Sequence, residues 1–403
     1  LIQRSPVATL KTLKLEKLNR KETSIMSEDK SYTGFISWLD KAWFHLPASE
    51  HLFPTFKAFF TPDEAELLTG FPFMPTELKD LAPIKGRDPR ELQASLDELA
   101  RRGAVWRMER SGRIYYNLND AFFIFFRGPF YAIHPDQAAK AMAPPLNRYF
   151  HDGLMDQLAP AHTKPLRAIP INKTIEDPRR ILPYEDVMGL VESQDFFAVS
   201  KCACRQRKRV DPGTVACKHP EEVCLHFGDL AHYLVENGLA REIAKEEAKH
   251  ILEVAADAGL VHAVSNRQQG ADTICNCCKC SCAFFESYHV LKQEKSHDFS
   301  NYRVKINRAT CRACGLCVER CPVQALRIED CTPAKNERGE AATLDADRCL
   351  GCGVCVHKCP TRSLILERRK EIHHPPEDMR EWMKRWIIDH KHVRAGGAQG
   401  PKY

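Results

Sequence analysis

The first half of this 403-residue chain has no cysteine, because all 18 fall between Cys202 and Cys359. That asymmetry excludes a disulfide framework spread over the whole chain and marks a boundary in composition near its middle. Long apolar runs are missing too. The longest strongly apolar stretch, Ala121 to Phe126, is far below the ~20 residues that a membrane-crossing helix needs. No charged, apolar and small-residue series of a secretory signal opens the chain, so the expected location is the cytoplasm. There is no G-x-G-x-x-G after a strand pattern, no Walker A sequence and no convincing catalytic triad. Strong charge of one sign is also lacking: a net +6 is modest for this length and does not argue for nucleic acid. What remains is an ordinary globular balance, 43% hydrophobic and 28% charged, long enough for several buried cores.

The chain starts at Leu1, and residues 1–25 form a Lys/Arg-rich leader without a clear helical face. The expectation is that this leader is untranslated upstream sequence and that Met26 is the start, with Arg20-Lys21-Glu22 encoded by a purine-rich ribosome-binding run. Further on, Thr61-Pro62-Asp63-Glu64 and Asp88-Pro89-Arg90-Glu91 each place a capping residue, a proline at the first helical position and a glutamate at the third. The second helix puts Leu92, Leu96 and Leu99 on one face and stops at Gly103. Val105 to Met108 and Ile114 to Leu118 then flank a turn at Ser111-Gly112, which suits a hairpin.

Helices followed by a hairpin resemble a winged helix, whose generic use is DNA binding through the last helix. Here Arg90, Arg101 and Arg102 are cancelled by Glu91, Asp97 and Glu98, so a docking or scaffold role is expected instead. Residues 119–183 are rich in Pro and aromatics and read as linker plus packing helices. A helix-like stretch from Tyr184 leads into a strand at Phe196 to Val199, which delivers the chain to Cys202. Ala248, Ile251, Leu252 and Ala255 mark the core face of a helix ending at Gly259.

The chemistry lies in the cysteines. Cys311, Cys314, Cys317 and Cys321, followed by Pro322, fit C-x2-C-x2-C-x3-C-P, and Cys349, Cys352, Cys355 and Cys359, followed by Pro360, repeat it 38 residues later. Three thiolates two residues apart can wrap one corner of a cubane, and Gly315, Gly351 and Gly353 permit the close backbone approach. Residues 303–368 resemble the bacterial two-cluster ferredoxins. The resemblance implies two [4Fe–4S] clusters with crossed ligation: Cys311, Cys314, Cys317 and Cys359 on one, Cys349, Cys352, Cys355 and Cys321 on the other. It also implies short strands at Val304 to Ile306, Leu326 to Ile328, Thr343 to Asp345 and Leu364 to Leu366. Cys331, in a loop reaching Gly339, reads as a spare thiol.

Nine cysteines stand upstream: Cys202, Cys204, Cys217, Cys224, Cys275, Cys277, Cys278, Cys280 and Cys282. They are candidates for a further Fe–S cluster, for zinc, or for thiol redox chemistry, since thiolates alone do not choose the metal. The basic run Arg205, Arg207, Lys208 and Arg209 would stabilise an anionic centre if it folded back. From about residue 50 to 368 the chain resembles a family of multidomain iron–sulfur proteins of anaerobes with a winged-helix-like N-terminus. Ser281 stands where that resemblance leads one to expect another cysteine.

The expected architecture is α+β and multidomain: a leader and N-terminal helix (1–50), a winged-helix-like domain (51–120), linker and packing helices (121–183), a Cys-rich α/β domain (184–297), a 2[4Fe–4S] ferredoxin domain (298–370) and a basic amphipathic tail (371–403). In that tail Met379, Trp382, Met383, Trp386 and Ile387 share one helix face, flanked by surface histidines 373, 374, 390 and 392. The expected function is one-electron transfer to or from a redox enzyme or carrier protein, either alone or as a subunit of a larger complex. The alternatives are an Fe–S redox-sensing transcriptional regulator and small-molecule chemistry at an upstream cluster.

Overall fold

The computed structural model describes residues 30–42, 44–155, 162–177, 181–293, 296–332 and 334–394. The Lys/Arg-rich leader lies outside them, as do the side chains of His390 and His392.

Helix α1 (30–39) and α2 (Leu52–Phe59) meet through Phe35, whose ring is edge-on to Phe56 and Phe60. Helix α3 (Pro62–Leu68) opens with the full capping box: Thr61 accepts from the Glu64 amide and Glu64 accepts from the Thr61 amide. After β1 (Thr76–Glu77) come α4 (Leu78–Lys85) and α5 (Pro89–Arg101), the latter capped by Asp88. Leu92, Leu96 and Leu99 of α5 are buried, as their spacing requires. Strands β2 (Val105–Arg110) and β3 (Arg113–Leu118) form an antiparallel hairpin, and β1 joins the free side of β3. Ser111 and Gly112 both have positive φ, the mirror-image turn that matches the twist of a tight hairpin.

From the stretch read as linker, Gln137–Tyr149 is helical despite Pro144 and Pro145, and Leu166–Ala168 is a strand, β4. That strand edges a six-stranded sheet with β5 (Phe197–Lys201), β6 (Glu222–Phe227), β7 (Arg241–Glu242), β8 (Val261–Ser265) and β9 (Thr273–Cys277), in the order β4-β8-β9-β6-β5-β7. Every pairing is antiparallel. The Cys-rich region was expected as α/β; its helices connect strands that return antiparallel, so no parallel βαβ crossover exists among the described residues. The core helix Lys245–Asp257 buries Ala248, Ile251, Leu252 and Ala255.

The C-terminal region has two two-stranded antiparallel ladders, β10 (Tyr302–Ile306) with β13 (Leu364–Arg368) and β11 (Leu326–Asp330) with β12 (Glu340–Leu344). The last helix, Met379–Arg394, buries Trp382 and Trp386, while Met379 and Ile387 stay exposed. Trp382 donates to the Lys164 carbonyl and Trp386 stacks near Phe44, so this helix packs on the body. No helix among the described residues is long and apolar enough to cross a membrane.

Candidate metal centres

Glycines in the left-handed conformation, Gly315 and Gly353, start the short helices Leu316–Arg320 and Val354–His357. The chain therefore turns sharply between the second and third cysteine of each motif, and the sulfurs converge. Cys311, Cys314, Cys317 and Cys359 line one cavity; Cys321, Cys349, Cys352 and Cys355 line another. Each cavity takes three thiols from one motif and the fourth from the other. Backbone amides are directed at sulfur: Ala313 and Ala342 each donate to Cys311 Sγ at 3.5 Å, and Ala325 to Cys321 Sγ at 3.2 Å. Such donors stabilise extra negative charge on a ligand sulfur. Burial pushes the Cys317 thiol up to about 11 and the Cys352 thiol up to about 12, with the other thiols of each cavity adding to the rise. These thiols resist ionising until a cation shares the cavity, which couples their deprotonation to metal binding.

The two cavities differ in surroundings. Cys314 is exposed and Cys359 half-buried, whereas Cys321, Cys349, Cys352 and Cys355 are all buried. The buried set is held against the rest of the chain. Ile171 donates its amide to the Cys352 carbonyl, Arg369 donates to the Cys349 carbonyl, and Tyr288 donates to the Val323 carbonyl at 2.8 Å. Arg320, next to Cys321, donates to the Ala256 and Asp257 carbonyls at the end of the core helix and to Val354. A guanidinium is well suited to those unpaired terminal carbonyls.

Strand pairing brings part of the upstream cysteines together. Leu225 pairs with Ile274 across β6 and β9, so one step along that register Cys224 faces Cys275, and Cys277 shares their side of the sheet. Their thiols interact in series with Cys282, Cys204 and Cys202 around a cavity also lined by Phe122, Phe126 and Arg127. Cys278, one residue past the end of β9, also lines this cavity. Its sulfur lies 3.7 Å from Cys217 and 3.4 Å from Cys280, and Cys217 and Cys280 are 3.1 Å apart. Hydrogen bonds from Cys217 and Cys280, helped by Arg205, hold Cys278 well below the usual thiol range.

The basic run does fold back, in part. Arg205 is fully buried, donating to the Pro220 and Asn276 carbonyls and reaching Cys278. Arg207 is equally buried but pairs with Glu286 at 3.1 Å, and Arg209 pairs with Glu221.

Two histidines join these groups that the cysteine pattern did not flag. His219 shares a ligand-sized cluster with Cys217 and Cys280, all donor atoms lying within 4.8 Å of one another; a Cys-x-His spacing is the local signal. His297 forms a second such cluster with Cys277 and Cys282. It is buried, and among the described residues neither ring nitrogen has a hydrogen-bond partner. Burial pushes its pKa down to about 4, so the imidazole is neutral and free to ligate a metal. Fifteen residues past the last upstream cysteine, it carries no local sequence signal. Cys331 is buried and lines neither ferredoxin cavity.

Residues 310–363 match the family of 4Fe-4S dicluster domains. No curated protein and no solved structure matches the chain. The matched segment contains all eight paired-motif cysteines, Cys311 to Cys359.

Proposed function

We propose that the chain is a one-electron carrier, or the electron-transfer subunit of an anaerobic redox complex, working with two [4Fe–4S] clusters. One is ligated by Cys311, Cys314, Cys317 and Cys359, the other by Cys321, Cys349, Cys352 and Cys355. The observation that carries this reading is the pair of four-cysteine cavities inside a segment that matches a dicluster family. Cluster iron supplies the redox change, and the chain's own groups set its conditions. Amides directed at sulfur favour the reduced state, and burial keeps water from the inner quartet. The exposed Cys314 side is where a partner protein would approach the outer cluster. The inner cluster faces the upstream cysteines across a short protein bridge: Lys279, between Cys278 and Cys280, donates to the Glu319 carbonyl two residues before Cys321.

A further metal centre, an Fe–S cluster or zinc, is assigned to Cys202, Cys204, Cys217, Cys224, Cys275, Cys277, Cys278, Cys280 and Cys282. The winged-helix-like unit at 51–120 serves as a scaffold in this reading. Tyr233 donates to the Ala100 and Val105 carbonyls and stacks on Trp106, and Asp97 of the last helix is engaged by Arg107 and Tyr116. Those contacts weigh against the alternative of an Fe–S redox-sensing regulator that reads DNA with this helix.

The test is anaerobic purification of the full chain, iron and sulfide counts, and EPR of the reduced protein. About eight iron atoms in the dicluster region with the spectrum of two interacting cubanes are expected. Zinc or no metal in that region would remove the electron-carrier reading.

A further inference from the structure

The three sulfurs of Cys217, Cys278 and Cys280 stand 3.1, 3.4 and 3.7 Å apart. Four ligands around one zinc ion with a Zn–S bond of about 2.3 Å occupy the corners of a tetrahedron with edges of about 3.8 Å. The triad has that scale. In a cubane each thiolate binds a different iron, so ligand sulfurs are held much farther apart. The same chain provides the comparison: in the ferredoxin cavities the described cysteine sulfurs affect one another only through charge, with no hydrogen-bonded sulfur pair. A fourth donor is present, since a His219 ring nitrogen lies within 4.8 Å of the Cys217 and Cys280 sulfurs. Three thiolates on a divalent ion leave one net negative charge, and Arg205 beside Cys278 with Lys208 on the Cys280 carbonyl offset it.

We propose that Cys217, Cys278, Cys280 and His219 form a mononuclear zinc site adjoining the buried thiol group, with Cys278 between the two. The proposal rests on the assignment of metal to the upstream cysteines and specifies the ion, its four ligands and its work. That work is to clip a loop. Residues 211–219 carry no helix or strand, and Val215 within them is 90% exposed, yet Cys217 is joined to Cys280 across 63 positions. A metal bridge over so long a separation removes much of the freedom of the open chain.

The experiment uses full-length protein prepared without oxygen from iron-replete cells, measured for zinc and iron and by X-ray absorption at the zinc edge. One zinc per chain with mixed sulfur and nitrogen neighbours is expected. In Cys280→Ser and His219→Ala the zinc should fall by at least half, with the ferredoxin EPR signal unchanged. Removing zinc from the native protein with a chelator should speed proteolysis within 211–219, which needs no variant to fold. Wild-type protein lacking zinc, zinc retained in Cys280→Ser, or Cys280→Ser losing several irons instead would each overturn the proposal. Those outcomes leave the electron-carrier reading standing, because it depends on the ferredoxin EPR spectrum, which is recorded on the same samples.

Discussion

Glu286 receives His151, Lys208 and the fully buried Arg207 on one carboxylate. Burial alone would raise its pKa, but the hydrogen bond with His151 and the charges of Arg207 and Lys208 outweigh it and bring the carboxyl down to about 2. A depressed carboxylate contributes stability above its unfolded pKa near 4.3, and that contribution is lost as pH falls from there toward 2. Glu286→Gln leaves Arg207 buried without a counter-charge, so a loss of about 3–5 kcal/mol is expected at pH 7 in denaturant unfolding. The gap between variant and wild type should narrow when the titration is repeated at about pH 3. Gly351 presents a different limit: its φ is +68°, and a Cβ there would run into the Tyr302 carbonyl and Ser300. Gly351→Ala is expected to destabilise the chain by more than ~1 kcal/mol, seen as a lower Tm, and to lower the iron content around Cys349 and Cys352.

At the scale of elements, the capping and periodic signals were legible because they are local. Thr61-Pro62-Asp63-Glu64 and Asp88-Pro89-Arg90-Glu91 start helices at Pro62 and Pro89, and Ser111-Gly112 turns the hairpin. Asp88→Ala should cost ~1 kcal/mol in thermal unfolding, since Asp88 caps the Arg90 and Glu91 amides. Strand β4 was not legible. It is three residues long, lies among prolines and aromatics, and is defined by pairing with β8 about a hundred residues away. A strand that short has no alternation to read. The tail helix shows a related limit: five apolar residues share its face, yet Met379 and Ile387 stay exposed while Trp382 and Trp386 are buried, and the polar Asp389 is buried too, accepting from the Thr163 amide.

For the molecule as a whole, Arg320 joins the dicluster region to the core helix Lys245–Asp257, and His357 and Lys358 add ion pairs to Asp257. Ion pairs at the exposed Asp257 carboxylate are individually weak, so the half-buried Arg320 guanidinium, with its three carbonyl partners, carries most of this attachment. Arg320→Ala should leave both ferredoxin clusters assembled but raise hydrogen exchange in Ala256 to Gly259 several-fold. Unchanged exchange there would show that the regions are held together elsewhere.

The paired cysteine motifs were readable from the chain alone because ligand spacing within a tight loop is a local property that covalent geometry enforces. The same reasoning located the nine upstream cysteines without dividing them. Their grouping needed the fold: β6 brings Cys224 beside Cys275 on the side that Cys277 shares, and the loop before β6 brings Cys217 to Cys278 and Cys280. His297 reaches its place next to Cys277 and Cys282 only through long-range packing, which residue order does not encode in any short pattern.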